Sequence, residues 1–310
     1  MIAIPLIRKI GELFLILFAT AGLVRVKLLK SEDSKILSRL SLYFVTPCVI
    51  FNAFQQEVTA DTQQGLLLAM LLAVSFQAVF FLVTAILKRV WKATEVERAS
   101  IAFTNVGNLI IPIVSYILGP EWVIYASGYI LVFNVLFWTL GVRMFDGGGA
   151  WNLRKVLLNP NILAVLLGAL CLALGVRLPD VLAIAFDDVA GMIGPLSMMI
   201  TGMVLGGMKL REVFQNRRIW LVIFFRMVLC SGLAALAAAL SGAAGFMASG
   251  KSIVLIALLA ALAPSASNIN QVSILYHKDE KYASAINILT TLSCILTMPL
   301  WVMVYEALVP

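Results

Sequence analysis

Ten apolar runs follow one another along the chain, each close to the roughly 20 residues that cross a bilayer as a helix. They fall at about 10–29, 37–54, 65–88, 99–118, 121–142, 160–176, 180–207, 219–241, 252–276 and 282–307. Such runs leave few choices of fold. Lipid offers no partner to a backbone N–H or C=O, so a segment inside it must satisfy those groups within itself, as a helix does. A transmembrane barrel needs short segments of alternating polarity, and these runs do not alternate. Composition agrees. The chain is 62% hydrophobic and 13% charged, with a mean hydropathy of +1.00, whereas soluble domains are about 45–50% apolar and about 25% charged. The predicted fold class is an all-α polytopic membrane protein with ten transmembrane helices, its outer surface solvated by the lipid bilayer. Arg8, Lys9 and the Ala19-Thr20-Ala21 triplet resemble a cleavable leader, but Arg25 and Lys27 follow at once, as they do after a retained helix.

The net charge of +7 reads as topology and not as a nucleic-acid surface, so no nucleic-acid partner is expected. Of the 23 lysines and arginines, 18 fall in the connections after spans 1, 3, 5, 7 and 9. Four (Arg8, Lys9, Arg177 and Lys251) fall on the other side, and Arg226 lies within span 8. The positive-inside rule then predicts both termini outside the cytoplasm, in a multi-pass protein of the cell (plasma) membrane. A break at Asp146-Gly147-Gly148-Gly149 divides the chain into residues 1–145, a short cytoplasmic linker at 146–159, and residues 160–310. Each half carries five spans. Five is odd, so the second half enters the membrane upside down, the inverted-repeat plan of many secondary transporters.

The fourth span of each half is interrupted. Span 4 contains Asn105-Val106-Gly107-Asn108-Leu109-Ile110-Ile111-Pro112, and span 9 contains Pro264-Ser265-Ala266-Ser267-Asn268-Ile269-Asn270-Gln271. Proline removes a helix hydrogen bond and clashes with the preceding turn. Non-helical backbone at membrane depth survives only where it is buried in protein or lines a cavity. A lone proline kink with polar residues bonding to neighbouring helices is the plain reading. A matched pair is instead the sequence mark of a transport site. Amides and hydroxyls bind a solute without a buried charge, and half-helix N-termini offer partial positive charge to an anion. Asn108, Ser265, Ser267 and Asn270 are substrate-binding candidates on this local chemistry.

Other residues carry weaker expectations. Gln271, Asn134, Asn287 and Arg226 are candidate ion or anion contacts. For Asn134 and Asn287 the competing reading is bonding between helices. For Arg226 it is snorkelling to the cytoplasmic interface, with a counter-charge role the alternative. Gly202 and Gly206 form a small-xxx-small pair in span 7, which predicts close helix packing or a dimer seam. Cys48, Cys171, Cys230 and Cys294 all lie in apolar runs without metal-ligand spacing, and the lone His277 builds no metal site. Neither metal nor cofactor is expected. The spans hold none of the paired acids, Ser/Lys or Ser/His sets, or metal ligands that an intramembrane enzyme needs, and no phosphate-cradling loop for ATP. The chain is therefore not read as an enzyme.

Over nearly its whole length the chain resembles the auxin efflux carrier family, within the bile acid, arsenite and riboflavin transporter superfamily. The resemblance rests on Tyr43-Phe44-Val45-Thr46-Pro47, the Asn105–Pro112 segment, Leu158-Asn159-Pro160, Gly194-Pro195-Leu196, and Pro264–Asn268 followed by a charged loop and Tyr282-Ala283-Ser284. It departs at Ile110, where many relatives have glycine. It also lacks the long central loop of plant relatives, so it is similar to short prokaryotic-type members. The resemblance implies a scaffold of spans 1, 2, 6 and 7, through which a homodimer forms, and a mobile transport domain of spans 3–5 and 8–10. It implies broken helices 4 and 9 that cross, elevator-type alternating access, and a small organic anion such as a dicarboxylate or an auxin-like acid as substrate. Asn105, Pro112, Pro264 and Asn268 carry the binding positions over from the family. The alternative it leaves open is a sodium-coupled symporter of bile-acid-transporter type.

Overall fold

The structure, a computed structural model, describes residues 3–55, 60–145 and 158–309. The glycine break at 146–149 lies outside them. Among the described residues the chain is a succession of helices. These are α1 (Ala3–Arg25), α2 (Ser31–Ala53), α3 (Ala60–Val90), α4 (Glu95–Ala102), α5 (Val106–Ile117) and α6 (Pro120–Phe145). They continue with α7 (Pro160–Leu174), α8 (Asp180–Gly207), α9 (Leu210–Gln215), α10 (Arg217–Leu240), α11 (Gly250–Leu262), α12 (Asn268–Leu275) and α13 (Glu280–Leu308). Six of these, α2, α3, α6, α8, α10 and α13, are long and apolar enough to cross a membrane, and α5, α7 and α11 are shorter apolar helices. The protein is thus an all-α, multi-pass membrane protein.

Helix ends depart from the sequence reading where charge misleads. The first helix starts at Ala3 and not near residue 10, and Lys9 and Glu12 pair within it across one turn at 2.8 Å. Asn159 caps α7, its side chain accepting the Asn161 N–H at 2.9 Å, and Pro160 takes the first helical position, where its missing N–H costs nothing. Spans 4 and 9 are each two helices in the structure, α4–α5 and α11–α12.

Burial sorts the helices by position. Every residue of α11 from Ile253 to Leu262 is buried. Apolar all round, it runs through the middle of the bundle against α3, α6, α10 and α13. The first half of α8, Asp180–Gly191, buries nothing, and α7 exposes Leu163, Leu166, Leu167 and Leu170. Faces like these suit lipid, which solvates apolar side chains at no cost.

The tightest seam joins α1 to α8. A Cβ on Gly202 would run into the Leu17 carbonyl oxygen, and one on Gly206 would stand 2.7 Å from the Ala21 carbonyl oxygen. The small-xxx-small pair therefore serves packing within the chain. At one end of the bundle a buried carboxylate ties four helices together. Glu97 takes Arg218 Nε at 2.6 Å and Nη2 at 2.8 Å, the Tyr282 hydroxyl at 2.8 Å and the Thr94 N–H at 2.7 Å. The Arg218 guanidinium also lies 4.6 Å from the Trp91 ring centroid. This knot links α4, α10, α13 and the end of α3.

Overpacking a close seam costs about 1–3 kcal/mol or more. Gly202→Val should lower the melting temperature in detergent by roughly 5 °C or more. Gly191→Ala, which meets nothing within 4 Å, should leave it within about 1 °C.

Candidate functional site

The two breaks lie against each other. Phe103 leaves the helical region (φ −110°, ψ 134°) and Ala263 does the same (φ −59°, ψ 152°). Thr104 and Ser265 then face each other as an antiparallel pair. Asn105 N–H donates to Pro264 O at 2.8 Å, and Ala266 N–H donates to Phe103 O at 3.0 Å. Each broken helix thus supplies the partners that the other lacks. A buried backbone polar group left unpaired costs about as much as a lost hydrogen bond.

Side chains from the flanking helices satisfy what the pairing leaves over. Gln77 of α3 donates to Ala102 O at 2.9 Å, at the carbonyl end of α4. Arg226 of α10 does the equivalent for α11, giving Nη2 to Ala261 O and, at 2.7 Å, to Ala263 O. From α13, Thr290 Oγ1 accepts the Ser265 N–H at 3.2 Å, and Asn287 Nδ2 donates to Ser265 O at 2.6 Å. Asn108 Nδ2 donates to Ser267 Oγ at 3.2 Å, and that hydroxyl donates to Asn105 Oδ1 at 3.5 Å. The carbonyl ends of both broken helices are therefore capped. The opposite ends, where α5 and α12 begin, point their N-termini into the crossing.

A pocket of about 30 Å³ opens beside the pair. One wall is Thr104 to Asn108 with Ile130, Phe133, Asn134, Ala266 and Asn268. The other is Leu42 and Thr46 of α2 and Asn161 of α7. The lining holds amides, hydroxyls and apolar groups and no charged side chain. Three buried polar atoms in it, Thr46 Oγ1, Thr104 Oγ1 and Asn161 Oδ1, have no hydrogen-bond partner in the protein. Native proteins leave few such groups, and each calls for an explanation. The three residues that carry them line one small space. That space holds one or two waters, so an organic anion requires its walls to part.

The expected site residues divide accordingly. Asn105, Asn108, Asn134 and Asn268 line the pocket. Ser267 stands behind them, bonded to two of the asparagines. Pro264 and Ser265 form the crossing itself. Pro112 lies about two turns beyond the break and packs on Gly194 of α8. Asn270 is in α12, with its N–H on Ser267 O at 3.1 Å. The Gln271 side chain lies outside the described residues. Asn287 spends its amide on the Ser265 carbonyl. Arg226 does not snorkel; it is fully buried against the end of α11. The unwound stretches also sit slightly earlier than expected, at 103–105 and 263–267 in place of 105–112 and 264–271.

Sequence reasoning missed Thr46, Thr104 and Asn161 as pocket residues. Thr46 sits inside, and Asn161 directly after, motifs that carry the family resemblance, next to Pro47 and Pro160. A polar residue beside a span proline is the signal that could have found them.

Helices that cross a membrane around a buried polar pocket define a membrane transport protein as the class. A family model described as membrane transport protein matches the chain twice, over residues 5–154 and 149–302. The chain belongs to that family, the auxin efflux carrier family that its motifs resemble. No curated protein matches it.

Removing the Asn287 amide would strand the Ser265 carbonyl. Asn287→Leu should therefore cost about 1–3 kcal/mol and lower the melting temperature by roughly 3–8 °C. Asn134 donates only to Ile130 O of its own helix, at 3.0 Å, so Asn134→Leu should cost less than half as much.

Proposed function

We propose that this protein is a secondary transporter of a small organic anion, a mono- or dicarboxylate, and that the crossing pocket is its binding site. Ten spans in two inverted halves, 1–145 and 160–310, supply the architecture, with both termini outside the cell membrane. Spans 1, 2, 6 and 7 form the scaffold and carry the homodimer contact. Spans 3–5 and 8–10 form the transport domain, which moves as an elevator.

The observation that carries this reading is the pocket's position and lining. Its walls divide between α2 and α7 on one side and α5, α6 and α12 on the other, which is the boundary between scaffold and transport domain. Sliding one wall past the other would open the pocket to one face of the membrane and then to the opposite face. The lining favours an anion. Asparagine amides supply N–H donors, the first turn of α5 contributes backbone at Val106 and Gly107, and helix N-termini carry partial positive charge. The Glu97 knot joins α4, α10 and α13, all on the transport-domain side, and would keep that domain rigid while it moves. The α1–α8 seam would do the same for the scaffold.

The test is a thermal-shift screen of purified protein against mono- and dicarboxylates, followed by uptake into proteoliposomes. A ligand of this site should raise the melting temperature by a few degrees through mass action. Asn105→Ala and Asn268→Ala should each weaken binding about tenfold, the worth of one hydrogen bond to a charged group. Stabilisation that survives both changes contradicts the site. Uptake that requires sodium identifies the sodium-coupled alternative.

A further inference from the structure

The two broken helices end on different donors. At the carbonyl end of α4 the cap is a neutral amide, Gln77, itself buried. At the carbonyl end of α11 it is a guanidinium, Arg226. α3 and α10 hold the same place in the order of long helix, broken helix, long helix. At α4 an uncharged donor serves as the cap. Burying a full charge at membrane depth is expensive, and capping alone does not account for it.

The surroundings of Arg226 leave that charge largely uncancelled. It lies nine residues into α10, about 14 Å along the helix, near the middle of a hydrocarbon layer about 30 Å thick. It is 0% exposed, and among the described residues no carboxylate pairs with it. Its neighbours are the Phe80 ring, with the centroid at 4.9 Å, and the uncharged Tyr129, Cys230 and Cys294. Nη1 has no hydrogen-bond partner. The end of α11 supplies only about half a unit of negative charge. The carbonyl that Arg226 holds belongs to Ala263, three extended residues, or about 10 Å, from Ala266 in the pocket wall. Tyr129 adjoins Ile130, another lining residue.

We propose that Arg226 is the specificity-determining residue of the crossing pocket. Its buried charge makes a pocket lined by neutral amides and hydroxyls prefer an anion to an uncharged ligand of the same shape. The proposal rests on the pocket being the substrate site. A unit charge at about 10 Å in an effective dielectric of about 20 changes affinity by roughly tenfold or somewhat more.

The experiment measures binding to purified protein of acetate, benzoate, succinate and malate, each against its own amide. The tightest pair is followed in variants. Arg226→Gln gives α11 the cap that α4 already has. It should lower the carboxylate-over-amide preference at least about tenfold while leaving amide affinity within about twofold. Arg226→Lys should hold less of the preference than wild type and lose what remains as pH rises from about 6 to about 9.5, because a buried ammonium deprotonates readily whereas a guanidinium does not. Tyr129, Cys230 and Cys294 face the site in wild type and variant alike, so a flat wild-type profile controls for them. An unchanged preference in Arg226→Gln overturns the proposal, as does an equal loss of amide binding, which marks a structural cap only. Should Arg226→Gln fail to fold, Arg226→Lys decides alone, and a preference held at the wild-type level from about pH 6 to about pH 9.5 overturns the proposal. If Asn105→Ala weakens the binding of no ligand that wild type binds, the pocket is not the substrate site and the reading beneath the proposal fails instead.

Discussion

Two backbone hydrogen bonds between Asn105 and Pro264 and between Ala266 and Phe103 hold the centre of this protein together. A chain inside lipid has no water to fall back on, so helix breaks at that depth are tolerable only when their loose ends find protein. Here the breaks find each other, as a single antiparallel pair. The remaining ends are met by Gln77, Arg226, Thr290 and Asn287, each drawn from a helix that flanks one of the breaks. The crossing and its four supporting side chains form one unit. Removing any one of them strands a carbonyl or an N–H where nothing else can reach it.

Keeping the carbonyl ends capped has a consequence for chemistry. The N-terminal ends of α5 and α12 remain facing the pocket, so the crossing presents the positive ends of two half-helices beside asparagine amides. The orphaned atoms of Thr46, Thr104 and Asn161 complete a small polar space between helices that otherwise pack on apolar surface. The space is too small for an organic acid as it stands. Its lining comes from α2 and α7 on one side and from α5, α6, α12 and the crossing on the other; elsewhere Gly202 and Gly206 of α8 seat against the α1 backbone, and the Glu97 carboxylate joins α4, α10 and α13.

Much of this was legible in the sequence, because lipid makes apolar run length nearly decisive for helices. The pairing of two interrupted spans was legible for the same reason. The exact residues of the breaks were less so. Pro264 sits in its break because proline forces the residue before it, Ala263, out of the helical region. Pro112 does not sit in the corresponding break. It stands inside α5, directly after the wider π turn at Val106–Ile110, which accommodates it. The helix yields instead at Phe103–Asn105, where Pro264 and Ala266 offer partners. No local rule in the sequence announces that exchange. Thr46 and Asn161 were hidden because they come from helices far off in the chain. The snorkelling reading of Arg226 failed because its acceptors, the carbonyls of a broken helix end, exist only once the helix has broken.

The most direct measurement of the central claim is a cross-link across the pair. Residues opposite each other between two such hydrogen bonds stand about 4.5 Å apart at Cα, within the range a disulfide spans. With Cys48, Cys171, Cys230 and Cys294 replaced by alanine or serine, Thr104→Cys together with Ser265→Cys should oxidise to an intramolecular disulfide in folded protein. Thr104→Cys with Ser273→Cys, two turns further along α12, should not. Failure of the first pair to cross-link in protein that is folded and monodisperse, or equal cross-linking of both pairs, would contradict the crossing on which the account stands.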